Sequence, residues 1–400
     1  MRVLHLVKTL QGAYWVMDQA RILHQMGVDV HIALPFRTPS ELPKDWKDSP
    51  ATLHPLEADM PFRQPWRLWR ILKDVRQLVQ RVQPDLMHVH HVSTALLARW
   101  ALGPDHPVRR IYQVAGPLHL EMPFYRALEI SSAGSADVWV GSCQSILRHY
   151  LEQGVQAERL FLSYSGRLYD RKPPTKGTLR RMVDAQPDDI IVGNINLMYP
   201  PKTYLGHNIG IKCHEVIFEA LAIAQQHNPR ILGVFVGGPL QEGHPYEAFL
   251  HKLARECAGD RIRLTGRQPK ALAPYLWADF DLCTHISLTE SCGGVVEPLW
   301  QGIPVISSDV GGLPEVVWPN QTGWLVSPTD IPAIAQTLLH VLEHPEQRTE
   351  TARRGQALVR TMFDGQRTIH EIFDIYRFLL GDAPRPLPFQ PQDFLQKHHA

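Results

Sequence analysis

The sequence predicts an α/β protein of two Rossmann-like domains facing each other across a cleft, and three observations predict it. The chain opens with a strand, a glycine-containing turn and a helix that stops at Gly27 before a second strand, which is a βαβ unit. The alternation restarts at residues 190–195, after Arg171-Lys-Pro-Pro-Thr-Lys-Gly177, a charged stretch with two prolines and no apolar period that reads as a hinge. Four hundred residues, 44% of them hydrophobic, suffice for two full cores.

The formal net charge of +1 supplies no long-range field toward nucleic acid, so no nucleic-acid partner is expected. Five scattered cysteines without a CxxC pair argue against both a zinc site and a disulfide framework, and fit a reducing, cytoplasmic setting. The apolar run after Met1 is too short for a signal peptide. No stretch approaches the roughly 18 apolar residues of a membrane span.

In the first domain, residues 2–7 read as a buried strand, Lys8 to Ala13 as a polar turn containing Gly12, 14–26 as a helix and 28–34 as a strand. A helix over 65–82 begins with proline at an allowed first-turn position. Its apolar stripe runs through Leu68, Ile71, Leu72, Val75, Leu78, Val79 and Val82, with Arg63, Arg67, Arg70, Arg76 and Arg81 elsewhere and Trp66 and Trp69 near its start. Two readings stay open: a packed helix with a solvated basic face, or a peripheral membrane contact through arginine and tryptophan over 63–82.

Pro84-Asp-Leu-Met-His88-Val-His90-His91 is a strand and then a loop, with His88 and His90 on one face, as metal ligands could be. No carboxylate or cysteine follows nearby, so packing or polar-cleft histidines are the expectation. The strand from Ile111 ends at Gly116, and Pro117 stops regular pairing. His119 and Glu121 are thus expected on a loop at a strand's C-terminal end, the edge where doubly wound sheets bind ligands. A strand at 136–142 and a segment at 161–166 complete the domain.

The second domain is expected to run through a strand at 190–195, a helix at 215–226, a strand at 231–236 and a strand at 262–265 that ends in Gly266-Arg267. Asp279-Phe-Asp281 spells a DxD expression, but it opens a turn before the next strand, where aspartate serves its own hydrogen bonds. Next come a strand at 282–286, a turn from Ser287 to Gly294, a helix at 295–301, and Gly311-Gly312 after a further strand. Strand, glycine loop and helix in that order direct backbone N–H groups, here those of Gly293 and Gly294, at an anion. Glu290 and Glu297 flank that point and would repel a phosphate. They suit hydroxyls of a sugar and a ribose on either side of a diphosphate.

Glu290-Ser-Cys-Gly-Gly-Val-Val-Glu297-Pro, Gln301-Gly-Ile-Pro-Val, Asp309-Val-Gly-Gly-Leu-Pro-Glu315 and Thr322-Gly-Trp-Leu-Val, in that order, resemble the C-terminal signature of the retaining family 4 glycosyltransferases, which have the GT-B fold. The family places its two glutamates eight positions apart. Here they are seven apart, a shortening that falls on Gly293-Gly294. The hinge sets domains at 1–176 and 177–362, the resemblance implies that a helix at 363–380 returns to the first domain, and 381–400, with four prolines and little periodicity, is expected to be a flexible tail.

The resemblance also implies roles. Glu290 would hold the sugar, His119 would lie beside the sugar-bearing end of the donor, and Lys212 would meet the diphosphate. Cys292, Gly293, Gly294 and Val295 would wrap the donor, Glu297 would take the ribose, Arg267 the base, and Gly12 would lie in a loop toward the cleft. The arginine that the family often carries after the strand is missing, with Asn196 or a neighbour in its place, and Lys202 is the candidate for the second charge. Glu121 and His91 would face the acceptor.

The implied reaction uses a nucleotide diphosphate sugar, expected to be a UDP-sugar, and a hydroxyl of a polar, polysaccharide or lipid-linked acceptor, with no cofactor and no metal. The Gly116-Pro-Leu-His-Leu-Glu and Glu290 spellings also resemble a subgroup that glycosylates aminocyclitols or similar polar acceptors. The basic helix favours a lipid-linked acceptor and a place at the inner face of the membrane. Rival readings are a sugar nucleotide epimerase or phosphorylase of the same fold, and an inactive sugar-nucleotide sensor. A dinucleotide oxidoreductase is disfavoured because no G-x-G-x-x-G follows either opening strand.

Overall fold

The computed structural model describes residues 1–11, 13–169 and 174–397, and the side chain of Lys397 is not considered. Gly12 and the first part of the expected hinge lie outside the described residues. The chain divides into two units, Met1–Tyr169 with Met362–Gln390, and Asp170–Thr361 with Pro391–Ala400.

The first unit is a parallel sheet of seven strands: β1 (Arg2–Leu6), β2 (Asp29–Leu34), β3 (Thr52–Pro55), β4 (Leu86–Val89), β5 (Arg109–Val114), β6 (Asp137–Gly141) and β7 (Leu160–Leu162). Their spatial order is β3-β2-β1-β4-β5-β6-β7. Strands β4, at the centre, and β6 are buried throughout, as strands of a parallel sheet covered by helices on both faces are. The order reverses between β1 and β4, and a reversal of that kind opens a crevice beyond the strands' carboxyl ends. Val3, Val30, Ile32 and Ile111 form one core with Ile369, Ile372 and Ile375, so the helix Gly365–Leu380 belongs to this unit.

The second unit is a six-stranded parallel sheet: β8 (Ile190–Ile195), β9 (Ile231–Val236), β10 (Ile262–Leu264), β11 (Leu282–His285), β12 (Val305–Ser308) and β13 (Trp324–Val326), ordered β10-β9-β8-β11-β12-β13. Its reversal falls between β8 and β11. Helices His214–His227, Pro245–Ala258 and Ile331–Glu343 supply Val216, Leu221, Leu250 and Leu338 to its core.

Three expectations change. The element after the glycine loop is a 3-10 turn, Gly293–Val295, followed by an α-helix of five residues, Val296–Trp300, rather than one helix over 295–301. A helix that short sums few peptide dipoles, so anion binding there would rest on loop N–H groups more than on a macrodipole. Residues 118–121 form a helical turn, not a loop. Within the stretch 381–400, expected to be flexible, Arg385 is an anchor whose guanidinium donates to the carbonyls of Ala157, Glu158 and Leu160 and stacks on Phe161 at 4.2 Å, and Pro391–Lys397 form a helix.

Candidate functional site

The carboxyl ends of β8 and β11, at the reversal, carry Asn196 and His285. The Asn196 amide nitrogen lies 3.3 Å from His285 Nδ1, and His285 Nε2 lies 3.2 Å from Glu290 Oε2. If the amide donates to Nδ1, the imidazole proton sits on Nε2 and points at the carboxylate. Burial and the nearby Lys212 charge hold the pKa of His285 below its usual value, which keeps the ring neutral.

Lys212 precedes the helix His214–His227, and its ammonium forms an ion pair with the same Glu290 oxygen. The two side chains keep 12% and 15% of their exposure, so the pair is poorly screened yet open to a ligand. Burial by itself would raise the Glu290 pKa, but Lys212 and the His285 hydrogen bond outweigh it and hold the carboxyl at about 2. The other carboxylate oxygen accepts from Ser291 N at 3.1 Å.

The two glycine motifs serve this loop differently. A Cβ on Gly294 would lie 2.2 Å from the His285 ring and 3.1 Å from Glu290 Oε2, so only glycine lets the backbone pass this close to both. Gly311 has φ +57°, and a Cβ there would sit 1.9 Å from the Glu290 carbonyl. Gly312 N donates to that carbonyl at 3.3 Å, so the second motif braces the first from behind.

Glu290, Lys212 and Gly294 therefore come together. Glu297, in the first turn of its helix, accepts from Trp277 Nε1 at 3.3 Å. Cys292 and Val295 are buried, so their side chains pack inward and only their backbones are available to a donor. Gly293 is exposed, with its N–H 3.4 Å from Ser291 Oγ. Arg267 donates to the Pro239 carbonyl at 2.6 Å. Lys202 lies 5.9 Å from the Tyr204 ring, within its own loop, and is not among the groups bonded to Glu290.

Sequence reasoning missed His285, Asn196 as a hydrogen-bonding group, and Tyr199. The Tyr199 hydroxyl is held above its usual pKa by burial and by Glu290, with Arg267 opposing, so it stands in the field of both. His285 and Asn196 could have been found by reading the positions at and just beyond the carboxyl ends of the strands that meet at the reversal, once strand order is known, whereas Tyr199 lies in the loop after β8.

In the first unit, His119 Nε2 faces Tyr150 Oη at 3.3 Å, and its ring lies 5.8 Å from Tyr112. Burial lowers its pKa to about 4, so it is neutral. Glu121 closes the same helical turn. His91 caps the helix Val92–Leu102 through Thr94, and burial with Lys8 nearby lowers its pKa to about 4. Gly12 lies outside the described residues.

His88 and His90 gain a third histidine, His5 of β1, which faces His88 in register and could not be placed from a local motif. His5 Nδ1 lies 2.9 Å from His90 Nε2, Trp15 donates to His90 Nδ1 at 3.2 Å, and His88 Nδ1 lies 2.5 Å from Tyr376 Oη. Four of the six ring nitrogens are thus committed to hydrogen bonds, and His5 Nε2 and His88 Nε2 are left over. The three rings each offer a ligand atom, all within 4.8 Å of one another, but the atoms nearest one another, His5 Nδ1 and His90 Nε2, are hydrogen-bonded to each other. The bonding is that of a polar core. Asp279, of the DxD expression, accepts from the N–H groups of Gly177, Leu179 and Arg180 and so caps the helix Thr178–Met182. Asp281 accepts from Ile191 N.

Among the described residues, no helix is long and apolar enough to cross a membrane. A family model described as glycosyl transferases group 1 matches residues 202–358, and one described as a glycosyl transferase 4-like domain matches residues 12–164. The chain is 25% identical to the D-inositol 3-phosphate glycosyltransferase of Thermomonospora curvata over 313 residues, 73% of this chain and 71% of that protein. It is 31% identical to the protein of the same name from Salinispora tropica over 179 residues, 43% of this chain but only 37% of that relative. Among solved structures it resembles HepE of Anabaena in complex with UDP and glucose, with a TM-score of 0.75 and 19% identity, covering 94% of this chain and 99% of that one. It also resembles a sucrose-phosphate synthase from Thermosynechococcus elongatus, with a TM-score of 0.74 and 18% identity, covering 96% and all of that chain. Between them the two family models take in most of the chain, and with the doubled Rossmann-like architecture they show that it belongs to the group 1, family 4-type glycosyltransferases and has the GT-B fold.

Proposed function

We propose that this protein transfers a sugar from a nucleotide diphosphate sugar, a UDP-sugar, to a hydroxyl acceptor, with retention at the anomeric carbon. The carrying observation is the Lys212–Glu290 pair beside neutral His285 at the strand-order reversal of the second unit. A cation already poised there suits a departing diphosphate, and a carboxylate held ionised suits sugar hydroxyls. The relatives named for transfer to D-inositol 3-phosphate, and the neighbour solved with UDP and glucose, support the donor class and a small polar acceptor.

In the proposed reaction the acceptor oxygen attacks the anomeric carbon from the face that the diphosphate leaves. The carbon–oxygen bond to phosphate breaks, and the acceptor's proton passes to the leaving phosphate, so no protein nucleophile and no metal are called for. Lys212 and the N–H groups of Gly293 and Gly294 would stabilise the leaving group. Glu297 would hold the ribose and Arg267 would face the base, while His119, Glu121 and His91 remain the residues proposed for the acceptor side.

A thermal-shift panel without added metal tests the donor: UDP, UDP-glucose, UDP-N-acetylglucosamine, GDP-mannose and NAD, on wild type and Glu297→Ala. A ligand at about 100 times its dissociation constant stabilises by roughly 2.7 kcal/mol, a readable rise in Tm. One sugar nucleotide should shift wild type, and Glu297→Ala less. No shift with any nucleotide rejects the reading, and free sugar plus UDP released without an acceptor would replace transfer by epimerase chemistry.

A further inference from the structure

The segment Phe62–Lys73 presents two chemistries on one side of the first unit. The helix Leu68–Val82 buries Ile71, Leu72, Val75, Leu78, Val79 and Val82, so that face is fully used by the core. At 100° per residue, Trp69, Arg70 and Lys73 fall on the opposite face, and Trp66 lies in the 3-10 turn Pro65–Arg67 that leads into the helix. Trp66 is 70% exposed, Trp69 76%, and Phe62, in the turn just before, 73%. Tryptophan turned away from a complete core contributes nothing to it, and a cluster of large exposed apolar groups marks a binding face.

Beside this stripe lies a cavity of about 600 Å³. Arg37, Arg67, Arg70 and Arg81 line it, against two carboxylates, Glu57 and Asp74. Glu57 is paired with Arg67, and Asp74 lies 3.9 Å from Arg70 Nε, which leaves Arg37 and Arg81 as the excess positive charge of a chain whose net charge is only +1. An uneven local charge next to exposed aromatics fits a phosphate whose attached chain is apolar. Tryptophan and phenylalanine settle at the level of lipid headgroups, and arginine forks bind phosphate oxygens in pairs.

We propose that this face seats the first unit on an anionic membrane surface, with Phe62, Trp66 and Trp69 entering the headgroup region and a lipid phosphate held in the arginine-lined cavity. This deepens the lipid-linked alternative for the acceptor. It rests on the surface of the first unit alone, so its failure would leave the donor site of the second unit untouched.

The test is flotation of the full chain with vesicles of phosphatidylcholine alone and with about one third phosphatidylglycerol added, at low and high salt. Wild type, Trp66→Ala/Trp69→Ala and Arg37→Ala/Arg81→Ala are compared after their Tm values are matched. The expected result is binding to the anionic vesicles only, weakened by salt, reduced at least about tenfold by the tryptophan pair, and reduced by the arginine pair with phosphatidylglycerol present. Soluble glycerol phosphate that competes fully with vesicles for wild type would assign the cavity to a free phosphate and overturn the membrane assignment. So would absence of flotation, binding unaffected by the tryptophan pair, or a change of solution mass in that variant without vesicle binding, which would make the face a protein interface.

Discussion

Glu290 is ionised in a place where burial alone would neutralise it, and Lys212 is the reason. Removing the lysine takes away both the charge that stabilises a leaving diphosphate and the charge that keeps the carboxylate ionised. Lys212→Ala and Glu290→Gln should therefore each lower kcat at least about 100-fold, the loss of one transition-state contact worth roughly 2.7 kcal/mol. Steady-state rates with the donor identified by thermal shift decide this, and near-normal turnover in both folded variants would reject the assignment. Glu290 was singled out because it sits in a contiguous motif, and Lys212 because the family resemblance implies a lysine in that stretch. His285 was not, since a histidine at a strand end looks like many others until its neighbours are known.

At the scale of elements, the first unit carries a fully buried charge cluster. Arg99 of the helix Val92–Leu102 meets Glu129 at 2.7 Å and Asp137 at 3.0 Å, and Arg110 of β5 takes Asp137 through two bonds, of 3.0 and 2.7 Å. Trp139 donates to Glu129 at 2.8 Å. Asp137 thus balances two guanidinium groups that have no access to water. Asp137→Ala should destabilise the protein by about 3–5 kcal/mol, because it leaves arginine charge buried without a partner. A denaturant midpoint close to that of wild type would contradict this. The cluster was invisible in the sequence: its members lie on separate strands and helices, and each alone resembles a surface charge. The helix at 68–82 shows the converse, since its buried stripe was read correctly from a period of 3.6 residues.

For the whole molecule, buried imidazoles couple stability to pH. His5 and His214 are driven by burial to about 3, and His88, His90 and His285 also lie below the ordinary value. Their folded pKa values are below the unfolded one, so between about pH 6.5 and pH 3 the unfolded chain binds more protons than the folded one. Their contribution is complete above about pH 6.5 and is lost as pH falls through that window, by up to about 1.4 kcal/mol per pH unit for each group. Urea unfolding at pH 7.5 and pH 5 should show the loss. His214 lies edge-on to Phe218 and Phe235 with no hydrogen-bond partner among the described residues, so His214→Phe should flatten the dependence. Equal stability at both pH values would contradict the assignment of neutral buried histidines.

The sequence by itself determined what depends on neighbours along the chain: strands β8 and β9 to the residue, the helical stripe at 68–82, and the glycine motif that carries Glu290. Only the tertiary structure decided what depends on residues far apart. Strand order brought Asn196 to His285 and His5 to His88, packing turned Cys292 and Val295 inward, and Arg385 tied down a tail whose composition suggested disorder. The physical reason is that periodicity and turn chemistry are local properties of a backbone, whereas the pairing of buried polar groups is set by which strands lie side by side.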